Sequence, residues 1–504
     1  MKHYTLGEYV KLLEEKGMLA EYNLQGKDGE EIKLLTYDSR EVTQGTLFIC
    51  KGAAFKAEYL KNSMNQGAVC YVSEKKYELE KEVPYILVKG IRDAMAVLAN
   101  FFYNKPWEDL AVIGFGGTKG KSTSTYYMKA VVDDYLAAQD KPESAVISTI
   151  DIYDGKSKVE SHITTPEAVE LQMHLRNALD CNIEYAEMEI SSQALKYGRV
   201  DEMQFDVSVF LNISEDHISP IEHPDFEDYF QSKMKMFEKS KIAVVNLDAD
   251  YIDQILEASK AAGEVVTFST KNPDADYYAY NIHKEGKDIH FSVKCEAFDE
   301  EFVLTMPGFF NVENALGVVA ASVKLGIPTE YIHSGLRRAR SSGRMEFYHS
   351  KDHEVMAIVD YAHNKLSFEK LFSAMKEEFP DYGLVAIFGC PGKKSLLRRK
   401  YLGTIAGQYS KMVYLVAEDP GYEPVEDISK EIAQYVEAQK CPYKMIEDRG
   451  EAIKDAIETA EGKTLLLVTG KGAETRQKYG CEYLDCPSDV EYVQRYLAEY
   501  DSRH

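Results

Sequence analysis

Along this chain, apolar residues recur first with the alternation of strands and then with the spacing of helix faces, and the two patterns take turns almost to the C-terminus. Residues 1–108 open with a short amphipathic helix. Strand-like pieces follow at 32–36, 46–50, 68–72 and 85–88, with a helix near 57–66, and Asn104-Lys-Pro-Trp-Glu108 reads as a linker. From 109 to 342 the pattern predicts strands at 145–148, 185–190, 207–213, 242–246 and 265–268 separated by helices, and an antiparallel β insertion at 277–304. From 343 to 504 a second alternating series has strands at 355–360, 384–388, 412–416 and 465–469. The expected fold class is therefore α/β with three domains, 1–108, 109–342 and 343–504: a small leading unit, a central mostly parallel sheet of the P-loop ATPase type, and a Rossmann-like unit. The last lacks a Gly-x-Gly-x-x-Gly fingerprint after its first strand, which lowers any dinucleotide hypothesis.

The stretch 110–139 organises the rest. An apolar strand, 110–113, runs into the loop Gly114-Phe-Gly-Gly-Thr-Lys-Gly-Lys-Ser122 and then into a helix with Tyr127, Ala130, Val131 and Leu136 on one side. Glycines let a polyphosphate approach the backbone, Lys121 brings a mobile positive charge, and Ser122 offers a hydroxyl to magnesium. A tight turn that binds nothing is the plain alternative, but Gly-Lys-Ser falls at the required strand-loop-helix junction. Phe115 stands where the common template has its first glycine, which marks a variant loop.

Composition sharpens this picture. At 504 residues the chain exceeds one core, and about three domains follow at roughly 150 residues each. A net charge of -24 argues against nucleic acid or an anionic membrane as partner, so an anionic ligand needs a local basic cluster. Eight cysteines without Cys-x-x-Cys spacing fit reduced thiols and a cytoplasmic setting. No apolar run approaches about 18 residues, so membrane insertion is not expected.

Further candidates lie at strand ends. Glu189 and His217 each follow a strand of the central series, and a carboxylate with an imidazole there suits magnesium beside a nucleotide. Each alone is more often a structural polar residue. Asn311 and Asn314 suit amide recognition of adenine, Arg344 a phosphate and Asp360 ribose hydroxyls, although spacing alone does not single them out.

The set Gly117-Thr-Lys-Gly-Lys-Ser122, Thr164-Thr-Pro166, Met188-Glu-Ile-Ser-Ser-Gln193, Arg199-Val200, Phe210-Leu-Asn-Ile-Ser-Glu-Asp-His217, Phe310-Asn-Val-Glu-Asn-Ala-Leu316, Gly343-Arg-Met-Glu346, Asp360-Tyr-Ala-His363 and Gly470-Lys-Gly472 resembles the Mur ligase family over nearly the whole chain. The resemblance implies an ATP- and magnesium-dependent ligase, expected as a monomer. It adds the third amino acid of the peptidoglycan stem to UDP-N-acetylmuramoyl-L-alanyl-D-glutamate through an acyl phosphate. Cys50-Lys-Gly-Ala-Ala-Phe55 and Gln193 look like the L-lysine-adding members. The implied ATP site is Gly117, Thr118, Lys119, Gly120, Lys121, Ser122 and Thr123 with Asn311, Asn314, Arg344 and Asp360. Lys121, Glu189, His217 and Lys233 are the implied catalytic group, with Ser122, Glu189, His217 and Lys233 toward the metal and Lys233 carbamylated. Asp38, Ser39 and Arg40 match the uridine segment, and Thr164, Thr165, Ser192 and Arg199 the muramoyl dipeptide positions.

The pattern departs where the amino acid should bind. Diaminopimelate enzymes carry Asp-Asn-Pro-Arg, whose arginine clamps a distal carboxylate; here stands Glu418-Asp-Pro-Gly421. Glu418 and Asp419, assisted by Glu474, suit a distal ammonium instead, which favours L-lysine over ornithine or meso-diaminopimelate. Lys393-Lys394 replaces the family's Asp-Arg, with Lys394 toward the α-carboxylate. A folylpolyglutamate synthetase shares the core but not a reason for the 1–108 unit. A non-catalytic nucleotide-binding regulator is the alternative from another class, and the intact Lys121, Glu189, His217 and Lys233 set speaks against it.

Overall fold

Three large sheets follow one another along the chain, with a two-stranded ribbon of Arg476–Tyr479 and Glu482–Asp485 after the last. The computed structural model describes residues 1–503 apart from 53–54, 162, 217, 220–221 and 394–396. The first sheet orders Leu19–Asn23, Tyr85–Val88, Ala68–Ser73, Thr46–Ile49 and Leu34–Thr36, all parallel except the first. The expected pieces at 46–50, 68–72 and 85–88 are there. Two elements carry no readable periodicity: Leu19–Asn23 is largely exposed, and the helix Ile91–Phe102 is apolar almost all round because it packs between this sheet and the helix Ala168–Asp180.

In the second sheet, eleven-stranded among the described residues, Ala111–Gly116 lies in the middle between Tyr185–Glu189 and Phe205–Phe210, all parallel. Ser240–Asn246 and Glu264–Ser269 continue it in parallel. The expected insertion at 277–304 is antiparallel within itself, yet Tyr277–Glu285 joins the same sheet through Phe268 and Ser269. An unexpected hairpin, Asp151–Tyr153 and Lys158–Glu160, extends the opposite edge.

Two boundaries are corrected. The first strand runs on through Gly114, Phe115 and Gly116, so these residues belong to the sheet and the loop begins at Gly117. Phe115 is fully buried; a Cβ on Gly114 would meet Ile190 Cδ1 at 2.4 Å, and one on Gly116 would meet Met236 Sδ at 2.5 Å. Those glycines serve close packing of the strand, which is why the loop departs from the common template. The strand expected at 207–213 ends at Phe210, since Asn212 turns to serve the loop: its carbonyl accepts from Thr118 N at 3.0 Å and its Oδ1 from Lys119 N at 2.9 Å.

The third sheet orders Glu346–His349, Val355–Asp360, Thr464–Thr469, Gly383–Phe388, Met412–Leu415 and Tyr443–Met445, parallel except the first. One apolar cluster runs without a break from Phe115 and Val319 to Ile358 and Leu467, so the second and third sheets share a core. Polar contacts join them too. Asn364 Nδ2 donates to Asp216 at 2.5 Å, and Thr475 Oγ1 to Glu160 on the hairpin at 2.8 Å. Among the described residues no helix is long and apolar enough to cross a membrane.

Candidate active site

The loop 117–122 sits at the carboxyl end of the central strand, where ligands of parallel sheets gather. Gly117 and Gly120 have φ of +136° and +86°, a backbone that side chains resist, and a Cβ on Gly120 would meet Asn314 Oδ1 at 2.2 Å. The helix Lys121–Ala137 starts there with its amides toward the cleft. Lys121 Nζ lies on the carbonyls of Gly117 at 3.0 Å and Thr118 at 3.2 Å, and Lys233 Nζ shares the Gly117 carbonyl at 2.7 Å. Burial, and then the charge of Lys121, pushes the Lys233 ammonium well below the usual lysine range; burial also lowers Lys121 and brings Lys119 down to about 8, against the pull of Asp216 at 3.3 Å. Lys119 and Lys121 thus bring basic nitrogens to a loop that Lys233 also contacts, a setting that suits a polyphosphate.

The remaining loop residues are braced. Thr118 Oγ1 meets Tyr229 OH at 2.9 Å, Ser122 Oγ accepts from Arg344 Nη2 at 3.3 Å, and Thr123 is buried at the helix start. Glu189 ends its strand beside the loop, its carboxylate accepting from Thr149 N at 2.8 Å and Oγ1 at 3.2 Å. Thr149 Oγ1 reaches Thr164 Oγ1 at 3.2 Å, and Thr165 Oγ1 caps the Glu189 carbonyl at 2.9 Å. His217 and Lys394 lie outside the described residues.

The facing wall of the cleft comes from the third sheet: Arg344, Asp360, Tyr361 and His363 stand opposite Lys119, Lys121, Ser122 and Glu189. Asp360, raised by burial, accepts the amides of Met345 at 2.9 Å and Ala362 at 2.7 Å. Asn314 lines the cleft, and Asn311 braces it from behind at 3.1 Å. The donor set fits magnesium: the Glu189 carboxylate and the Ser122 hydroxyl are hard oxygens next to the loop. Lys233 as a free amine does not fit that role.

A second cleft, not anticipated as a unit, opens between the first sheet and the short helix Ser192–Lys196. Lys51, Lys75, Arg92 and Lys196 supply positive charge, with Phe55, Tyr77 and Tyr197 among them. Arg92 stacks on Tyr197 at 3.9 Å. Lys51 and Phe55 belong to the quoted Cys50-to-Phe55 motif; Arg92 and Tyr197 had no signal beyond being polar or aromatic near element ends. Ser39 sits on a neighbouring turn where Arg40, exposed, pairs with Asp38. Arg199 is held by Glu167 at 2.8 Å and the Thr165 carbonyl at 3.1 Å, and Ser192 Oγ meets His223 Nε2 at 3.0 Å.

At the edge of the third sheet the acidic residues come together, but not as an open pocket. Lys471 Nζ stands between Asp419 at 3.1 Å and Glu474 at 2.5 Å, and Glu474 also accepts from Tyr361 OH at 2.7 Å. Glu418 is buried with Oε2 unpartnered, and burial lifts it to about 7. Gly470, at φ +101°, leaves room for that oxygen, since a Cβ would meet it at 2.2 Å. A small cavity lined by Thr149, Arg344, Tyr361, Lys471 and Glu474 connects this cluster with the phosphate loop side.

Comparison with known proteins returns the same picture. The Mur ligase middle domain matches residues 116–322, and the Mur ligase glutamate ligase domain matches 343–472. A UDP-N-acetylmuramoyl-L-alanyl-D-glutamate–L-lysine ligase of Enterococcus faecalis is 38% identical across 89% of this chain and 88% of its own. A UDP-N-acetylmuramyl-tripeptide synthetase of Lactobacillus acidophilus is 31% identical across 99% of this chain and 98% of its own. The solved structure of a UDP-N-acetylmuramoyl-L-alanyl-D-glutamate–2,6-diaminopimelate ligase superposes with a TM-score of 0.66 at 22% identity, covering 100% of both chains, which speaks for the fold.

Proposed function

The chain belongs to the Mur ligase family, and from that premise we propose that it is the ATP-dependent ligase joining L-lysine to UDP-N-acetylmuramoyl-L-alanyl-D-glutamate in peptidoglycan synthesis. The observation that carries this reading is the cleft in which Lys119, Lys121 and Glu189 share a lining with Arg344, while Lys233 is buried behind the loop on the Gly117 carbonyl. A carboxylate oxygen of the dipeptide attacks the terminal phosphorus of ATP, the bond to ADP breaks, and an acyl phosphate forms. The amine of the amino acid then attacks the acyl carbon, loses a proton, and phosphate leaves. Several negative charges converge in the first step, and the lysines with Arg344 are arranged to offset them. Magnesium, held by Glu189 and Ser122 with His217, would add Lewis acidity there. Burial disfavours the ammonium of Lys233, the amine form is the one that takes up carbon dioxide, and a carbamate there would supply the oxygen ligand that the amine lacks.

The basic and aromatic second cleft suits a uridine diphosphate, with Ser39 assigned to the same ligand, and Thr164, Thr165, Ser192 and Arg199 are assigned to the muramoyl dipeptide. The acid cluster suits the distal ammonium of lysine. Gly421 leaves no arginine for a second carboxylate, and Glu418 would repel one. We take 108/109 and 342/343 as the domain limits, and the cytoplasm as the place of work. The test is phosphate release from ATP with the UDP-muramoyl dipeptide and L-lysine, ornithine or meso-diaminopimelate. Release with lysine is expected. Release with diaminopimelate alone would refute the specificity, and none with any amino acid would refute the activity.

A further inference from the structure

Ser192, His223 and Asp228 form a hydrogen-bonded line that no step above employs. His223 is fully buried, with Nε2 3.0 Å from Ser192 Oγ and Nδ1 2.6 Å from Asp228 Oδ1. Asp228 lies in the first turn of the helix Phe226–Met234 and is also paired with Lys196 at 2.5 Å, the residue that closes the Ser192–Lys196 helix at the second cleft. The imidazole stands edge-on to Tyr229, 5.2 Å between ring centroids, and the Tyr229 hydroxyl reaches Thr118 of the phosphate loop. The line is therefore anchored beside both clefts.

Its direction follows from what each group can do. A carboxylate only accepts, so Asp228 holds a proton on Nδ1 of His223. Lys196 already balances Asp228 and the imidazole itself is fully buried, so a neutral ring is the form that costs least here, and its Nε2 offers a lone pair. Ser192 then gives its single hydroxyl proton to His223. What Ser192 shows a ligand is an oxygen with lone pairs, which repels a carboxylate and attracts an N–H. The acceptor substrate carries both, as free carboxylates and as amide N–H groups.

We infer that His223 and Asp228 are positioning residues that fix Ser192 as a hydrogen-bond acceptor for an amide N–H of the acceptor dipeptide. The substrate is thereby aligned by its peptide bond, while its carboxylate is left to the lysines of the loop. This rests on the reading of Ser192 as a contact to that substrate. Kinetics of Ser192→Ala, His223→Phe and the double variant test it, because phenylalanine keeps the packing on Tyr229 but removes the acceptor. Each single change raises KM for the UDP-muramoyl dipeptide about tenfold, as loss of one hydrogen bond does, and leaves KM for ATP unchanged. The double variant is no worse than Ser192→Ala, since His223 acts only through Ser192. Effects that multiply in the double variant, or an equal rise in KM for ATP, would overturn the inference while leaving Ser192 as a contact. An unchanged KM in Ser192→Ala would instead overturn the contact itself. Nitrogen-15 NMR of the unaltered protein gives a check independent of any variant: the proton is expected on Nδ1 of His223, and a ring protonated on Nε2 alone refutes the arrangement.

Discussion

The phosphate loop and the acid cluster at the edge of the third sheet are both crowded with charge, and they handle it in opposite ways. At the loop, Lys121 and Lys233 rest on carbonyl oxygens of the same turn, and the charge of Lys121 disfavours the ammonium of Lys233 even with Asp216 nearby. At the third sheet the charges cancel locally: Lys471 between Asp419 and Glu474, and Arg449 in a buried two-pronged pair with Asp489. An unbalanced cluster stores a demand for a counter-ion, whereas a balanced one is a scaffold. Glu418, with an unpartnered oxygen, keeps a demand of its own in the second region. The loop therefore gathers lysines, while the third-sheet cluster leaves Glu418 with an open carboxylate oxygen.

The strongest way to break this contrast is Lys233→Ala. If the buried amine is converted to a carbamate, its removal lowers turnover by at least about a thousandfold, with partial recovery on adding short carboxylates such as acetate. Unchanged turnover would leave Lys233 a spectator.

Next comes Glu418→Gln, which should raise KM for L-lysine on the order of tenfold or more and leave KM for ATP alone. The pH dependence has a definite sign. Glu418, lifted to about 7, is neutral below that value and charged above it, so attraction for an ammonium is lost as pH falls. The unaltered enzyme should therefore show a KM for lysine that climbs below about pH 7, and the glutamine variant a flat one. A flat profile in both would show that Lys471, not Glu418, governs the site.

The smallest effect sharpens the comparison with a buried carboxylate outside both regions. Glu187 lies in the second sheet beside Lys129, fully buried with both oxygens unpartnered, and burial lifts it to about 8. It borders no cleft described above, so Glu187→Gln should alter stability and not KM. The folded chain holds a proton on Glu187 between the ordinary 4.5 and about 8, so stability present at low pH drains as pH rises through that window. The variant lacks this loss, and its advantage in melting temperature should grow with pH, reaching about 2 °C or more at alkaline pH. Parallel melting curves at all pH values would refute the assignment.

Local pattern was enough to read the strand-helix alternation, the loop and most parallel strands, because period and glycine placement are properties of neighbouring residues. It misjudged where the loop begins, since Gly114 and Gly116 look like loop residues until Ile190 and Met236 are packed on them. It missed Leu19–Asn23 and the hairpin at 151–160, which are too short or too exposed to show alternation. It named Glu418, Asp419 and Glu474 as an acidic set without the lysine between them, although Lys471 stood in the quoted Gly470-Lys-Gly472.

By itself the sequence determined the family, the order of the sheets and the strand-loop-helix junction at Gly-Lys-Ser, because motifs keep their chemistry within a few positions. Only the tertiary structure decided which charges remain open. Asp419 and Glu474 are closed by Lys471, Glu418 stays unpartnered under Gly470, and Arg344 crosses to Ser122 from 222 residues away. Coulomb energies and desolvation depend on distance in space and on exclusion of water, and neither is written in the spacing along a chain.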